Sequence, residues 1–258
     1  ILNIIIAAFN CYCLYFFFKV LKNHILGFYI SLPIIVLILY MGFIRQGIAF
    51  SFLLLALANL NNKNFHFYYL FILLGIFFHK SLIFFLLFGL LVDKSKITRI
   101  AILTISLLVL IIFYKDFISL YNTYLGTLKG VYYDESRGSN IRLLMNLLPA
   151  IFILIFSKKF EVDVNYKKVY IFLSIIFIFM FVLKDFAITF VDRLNYYFVI
   201  LQLYIFGNIQ NFNFDNKYIK INLKFILIFY YIFIYLFWLL FANHNIGWLP
   251  YKNILFNA

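Results

Sequence analysis

Apolar runs of membrane-crossing length follow one another along this chain, separated by linkers of a few residues, and that spacing leaves little choice of fold. Runs such as 67–78 and 221–242 recur throughout, 66% of the residues are hydrophobic and only 12% are charged. A bilayer core of roughly 30 Å needs about 20 apolar residues per helix. The chain therefore has room for about nine or ten membrane segments, some short or re-entrant, and none for a separate soluble domain. The fold class predicted is all-α, a polytopic transmembrane helical bundle forming a single integral membrane domain over residues 1–258.

The segments read as 1–20, 25–43, 46–60, 65–78, 81–92, 98–114, 141–157, 168–184, 193–209 and 222–241. Lys and Arg favour the cytoplasmic side of short loops. Lys19 and Lys22, Lys63, the group Lys94, Lys96 and Arg99, the group Lys158, Lys159, Lys167 and Lys168, and finally Lys217, Lys220 and Lys224 share one side only if 65–92 folds back on itself. A single tilted span there would put the Lys158 and Lys168 groups opposite Lys19 and Lys22. Fold-back is thus predicted, with each half only about 20 Å long at 1.5 Å per residue. His79, at the turn, then sits below the outer surface in a shallow cavity, because non-helical backbone at that depth has to be buried in protein or line a wet space. The segment 115–140, rich in Tyr and Gly and carrying Asp134, Glu135 and Arg137, is expected to be an outer (periplasmic or extracellular) loop covering that cavity.

A net charge of +13 could signal nucleic acid, but the basic residues lie in short clusters between apolar runs, so the positive-inside rule explains them and no nucleic-acid partner is expected. The abundance of Ile, Phe, Tyr, Asn and Lys reads as coding bias of an AT-rich genome, which leaves the sparse arginines more informative than the lysines. Cys11 and Cys13 point to different faces of a helix and cannot bridge each other. No spacing resembles a metal site, a P-loop or a dinucleotide fingerprint, and no cofactor is expected. The chain begins inside an apolar run with its lysines after that run, unlike a secretory signal peptide, and is expected to be the C-terminal part of a longer protein.

Two polar interruptions, Ile44-Arg45-Gln46-Gly47 and Phe78-His79-Lys80-Ser81, fall where apolar sequence should have continued. Ionisable groups at membrane depth are expensive and mark sites by default. On the folded-back topology Arg45, Lys80, Arg142 and Arg193 each stand at or just before the first turn of a helix running inward from the outer face. That is the disfavoured side for cations and the positive end of the helix dipole. An anion would resolve both conflicts, and helix amides together with guanidinium forks make a cradle for pyrophosphate, whose apolar tail could lie in the bilayer. The bland alternative is that these cations snorkel or pair locally, Asp185 with Lys184 and Asp192 with Arg193. His79 could equally be a hydrogen-bonded packing residue, and Ser81 a helix cap. Gln46, Asn195, Tyr196 and Tyr197 could orient sugar hydroxyls or satisfy backbone groups.

At these residues the chain resembles the EpsG family of Wzy-type polysaccharide polymerases. The family's pattern is an Arg-Gln followed by an apolar helix, a short basic turn and an Ala/Gly-x-Phe-His-x-Ser segment. Here it reads Arg45-Gln46, then Lys63, then Gly75-Ile76-Phe77-Phe78-His79-Lys80-Ser81, and Asp192-Arg193-Leu194-Asn195-Tyr196-Tyr197 and Leu249-Pro250-Tyr251-Lys252 are similar too. Family members are usually longer, with further N-terminal helices and an outer loop. The resemblance implies an enzyme in the bacterial cytoplasmic membrane that joins oligosaccharide units carried on undecaprenyl pyrophosphate, without nucleotide sugar, alongside a flippase and a chain-length regulator. It implies a pyrophosphate clamp of Arg45 and Arg193, with Arg142, Arg137 and Lys80 in support. His79 is then the first choice of general base, with Asp192 or Asp185 behind it. Gln46, Ser81, Asn195 and Tyr196 would contact substrate, and Tyr121, Tyr132 and Tyr133 of the loop could stack on sugars. The alternatives are a lipid-linked oligosaccharide flippase and a membrane sugar acyltransferase. Charge concentrated on one face argues against the flippase, and the several outward cations are unexplained by the acyltransferase.

Overall fold

The computed structural model describes residues 2–92, 95–112, 114–115, 118–119, 122, 138–186, 188–214 and 217–241. The described residues are helical apart from short turns and one isolated bridge between Phe160 and Phe212. In chain order the helices are α1 (Leu2–Phe18), α2 (His24–Tyr40), α3 (Ile44–Asn61), α4 (Phe65–Phe78), α5 (Lys80–Gly89), α6 (Lys96–Ile112), α7 (Ser139–Phe156), α8 (Val164–Val182), α9 (Ile188–Leu201, continued by a π-helical turn at Gln202–Phe206) and α10 (Lys217–Phe241). The chain is an all-α, polytopic membrane protein. Four of its helices, α3, α7, α8 and α10, are long and apolar enough by themselves to cross a bilayer.

The core forms where apolar helices meet one another in preference to lipid. In the spanning window of α3, 67% of residues are buried, against 6% for α10, so α3 is the axis of the bundle and α10 lines its outside. Small residues permit the closest approaches, as expected where there is no hydrophobic drive between helices in lipid. A side chain at Gly47 would meet Leu39 O and the Tyr40 ring, both at 3.1 Å, which packs the start of α3 on the end of α2. The Cβ of any residue at Gly75 would overlap Leu82, and one at Gly89 would press on Tyr68 and Tyr69 at 2.7 Å. Those two glycines, with the hydroxyl of Tyr68 donating to Phe85 O, hold α4 and α5 antiparallel. The hairpin foreseen at 65–92 is present, and His79 is its turn, extended at φ −151° and ψ 112°.

The two ends of the bundle differ in charge. At one end Lys22 N donates to Asn208 Oδ1 (2.8 Å), Lys63 pairs with Asp163 (3.6 Å), Lys167 Nζ donates to Ser157 O (3.0 Å) and Asn213 N donates to Lys159 O (2.7 Å). Lys19, Lys158 and Lys168 belong to the same turns, so these lysine-bearing turns gather at one end as the charge pattern predicts for them. Asn23 and Asp163 cap α2 and α8 there through Leu26 N (3.0 Å) and Asn165 N (2.9 Å). Cys11 is exposed and Cys13 buried, on different faces of α1, and both are free thiols.

Candidate functional site

The opposite end collects the polar interruptions of three sequence regions. Arg45 and Gln46 open α3, and the Gln46 side chain crosses to α9, where Nε2 donates to Arg193 O at 2.6 Å. Phe43 packs on Tyr196 beside that bond, with ring centroids 5.3 Å apart. The next residue of α9, Tyr197, packs on His79 at 5.9 Å. A ring at the α4–α5 turn and the Arg193 segment of α9 thus come to one place, because α4 packs on α3 while α9 packs on the end of α2 and is tied to α3 by the Gln46 bond.

His79 is half-buried and its Nδ1 lies 2.5 Å from Ser81 Oγ. The ring is close enough to the guanidinium charges of Arg193 and Arg45 to feel both. Arg45 and Arg193 are themselves exposed. Arg142, in the first turn of α7, reaches Asp192 of α9 with both halves of its fork, Nε to Oδ1 at 3.0 Å and a terminal nitrogen to Oδ2 at 2.6 Å. That pair is largely buried, and the guanidinium lies 5.7 Å from the Tyr196 ring centroid. Three cations and one carboxylate therefore surround Tyr196, Tyr197 and His79.

Several expectations change in detail. Arg193 was expected at the first turn of its helix; α9 begins earlier, at Ile188, so Arg193 is in the second turn and the dipole argument does not apply to it. Ser81 does not cap α5. His79 occupies the cap position without a side-chain bond to the backbone, and the Ser81 hydroxyl faces the imidazole. Lys80 is the first residue of α5, half-buried beside His79. Asp192 pairs with Arg142 across fifty residues. Asp185 is 78% exposed in the turn after α8, 3.8 Å from Lys184, whose ammonium also donates to Asn140 Oδ1 at 3.2 Å. Asn195 is fully buried, bonded to Asn146. Arg137, Tyr121, Tyr132 and Tyr133 lie outside the described residues. No group of three or more His, Cys, Asp or Glu among the described residues could hold a metal ion.

Sequence reading missed Asn146, Gln202 and Tyr231. Asn146 bonds Asn195 and Gln202, and Gln202 bonds Tyr231. Their signal was present, since Asn146 follows Arg142 by four residues and Gln202 follows Asn195 by seven, both helical spacings that align side chains on one face.

The EpsG family model matches residues 1–253, nearly the whole chain. The chain belongs to the EpsG family. No curated protein and no solved structure matches it. The family comprises exopolysaccharide and Wzy-type polymerases, which makes this EpsG-family chain a membrane polymerase of polysaccharide biosynthesis, glycosyltransferase-like in its chemistry and acting on a lipid-linked oligosaccharide.

Proposed function

We propose that this EpsG-family chain joins oligosaccharide units carried on undecaprenyl pyrophosphate at the outer face of the bacterial cytoplasmic membrane. The observation that carries the reading is the convergence of Arg45 and Arg193 on His79 at the bundle end opposite the lysine-rich turns. A hydroxyl oxygen of the acceptor sugar attacks the anomeric carbon of the donor. The bond from that carbon to the pyrophosphate oxygen breaks, and lipid pyrophosphate leaves with the electron pair. The two exposed guanidinium groups offer forked donors to the charge that develops on the leaving oxygens, which is where electrostatic stabilisation has most effect. His79 takes the hydroxyl proton on Nε2. That requires the tautomer in which Nδ1–H donates to Ser81 Oγ, so the serine fixes both the ring's orientation and its free lone pair. Asp192, with both oxygens bound to Arg142, holds that arginine at the rim of the clamp.

Replacing Arg45 by Lys keeps the charge and loses the fork. Polymer formation should fall roughly 10²–10³-fold, with single repeat units still exported, as read from the length distribution of surface polysaccharide. Wild-type lengths would remove Arg45 from the clamp. Accumulation of lipid-linked units on the cytoplasmic leaflet of a deletion strain would instead identify a flippase.

A further inference from the structure

We infer that a buried chain of amide hydrogen bonds, Tyr231–Gln202–Asn146–Asn195, is a positioning device that fixes α9 so that Arg193 and Tyr197 meet His79. The inference rests on the polymerase reading above for the use to which that position is put. All four residues are 0% exposed, inside a bundle whose surroundings are hydrocarbon. They tie together α10, α9 and α7.

The chain has a direction. Tyr231 Oη donates to Gln202 Oε1 at 2.7 Å; Gln202 Nε2 donates to Asn146 Oδ1 at 2.5 Å; Asn146 Nδ2 donates to Asn195 Oδ1 at 2.7 Å and to Asn195 O at 2.9 Å. Tyrosine is the chain's natural origin because it brings a single proton to donate, and each amide must then accept on its oxygen and donate from its nitrogen. Reversing any one amide would set donor against donor or acceptor against acceptor. The far end is Asn195 Nδ2, buried and without a hydrogen-bond partner among the described residues.

Helices in lipid have no hydrophobic drive toward one mutual rotation over another, so packing and interhelical hydrogen bonds decide it. A slip of α9 by a single residue would turn it about 100° and move it 1.5 Å along its axis. The packing lost would be replaced by other packing, but the amides of Asn146 and Gln202 would be stranded where no water can satisfy them. Asp192, Asn195 and Gln202 lie along one face of α9, and Arg142 and Asn146 along the facing side of α7, so the buried amides continue the Arg142–Asp192 pair as one polar seam. The same rotation that seats this seam turns Gln46's partner, Arg193 O, toward α3 and Tyr197 toward His79.

The test pairs kinetics with an activity-free report of where α9 sits. Asn146→Leu removes the seam at similar volume, and Tyr231→Phe removes only its terminal hydroxyl from the lipid-facing helix, so the second variant folds even if the first does not. In purified full-length chain, kcat per folded molecule should fall about tenfold or more for Asn146→Leu and about threefold for Tyr231→Phe, with KM for lipid-linked donor unchanged. In a Cys11→Ser, Cys13→Ser background, a Phe43→Cys, Tyr196→Cys pair should be bridged by a short bifunctional thiol reagent, and the yield should drop with each seam variant. Cross-linking that persists in both, or that is lost while kcat is kept, overturns the inference. If the unaltered chain makes no polymer, the functional reading fails and the cross-linking yield alone decides the seam.

Discussion

The Arg142–Asp192 pair shows how a single residue's partner settles its use. Both side chains are largely shielded, at 16% and 8% exposure, and a buried ion pair adds little to stability as a pair while losing one partner strands the other. Asp192→Asn keeps the shape and leaves Arg142 uncompensated, so it should cost roughly 3–5 kcal/mol, seen as a lower midpoint of thermal unfolding in detergent. The double change Arg142→Met, Asp192→Leu should recover most of that loss. A single Asp192→Asn variant as stable as the parent would show that Arg142 draws its support from elsewhere. Sequence had offered Asp192 as the neighbour of Arg193 and as a second-choice base. Adjacent residues on a helix point about 100° apart, so the facing helix supplied its partner, and no local pattern could name which one.

At the scale of elements the α4–α5 hairpin controls where His79 stands. Gly75 lies against Leu82 and Phe52, with the Phe52 Cβ 3.1 Å from where a side chain would begin. Gly75→Val should push the two arms apart, destabilise the protein by about 1–3 kcal/mol and lower polymer formation by moving His79 off Tyr197. Leu82→Ala opens room at the same contact, so Gly75→Val with Leu82→Ala should regain stability relative to Gly75→Val alone, as measured by thermal unfolding. The limits of α4, Phe65–Phe78, match the apolar run read from sequence, and the turn after it was legible because only a fold-back keeps the lysines together. Two features were not legible. The π-helical stretches at Leu32–Tyr40 and Gln202–Phe206 answer to packing against neighbouring helices and leave no period in the sequence. The first turns of α9 were missed because Asp192 and Arg193 ended the apolar run, whereas the helix carries both, one paired across the interface and the other exposed.

For the whole molecule the decisive quantity is which end faces the cytoplasm. Lys19, Lys22, Lys63, Lys158, Lys159, Lys167 and Lys168 lie at one end, and Arg45, Arg193 and His79, with Gly138 leading into α7, at the other. Short loops retain Lys and Arg on the cytoplasmic side, and the proposed function accordingly puts Arg45, Arg193 and His79 outside, where repeat units are present only after they have been flipped. The single substitutions Gly138→Cys and Lys158→Cys, each in the Cys11→Ser, Cys13→Ser background, make this measurable in intact cells. A membrane-impermeant thiol reagent should label position 138 directly and position 158 only after the membrane is opened. The reverse pattern would put the clamp in the cytoplasm, where the units are still being assembled, and polymerisation by this site would then have to precede their export. Labelling of both positions in intact cells would break the up-and-down order of α7, since its 18 residues rise about 27 Å and its two ends cannot share one face of the bilayer core.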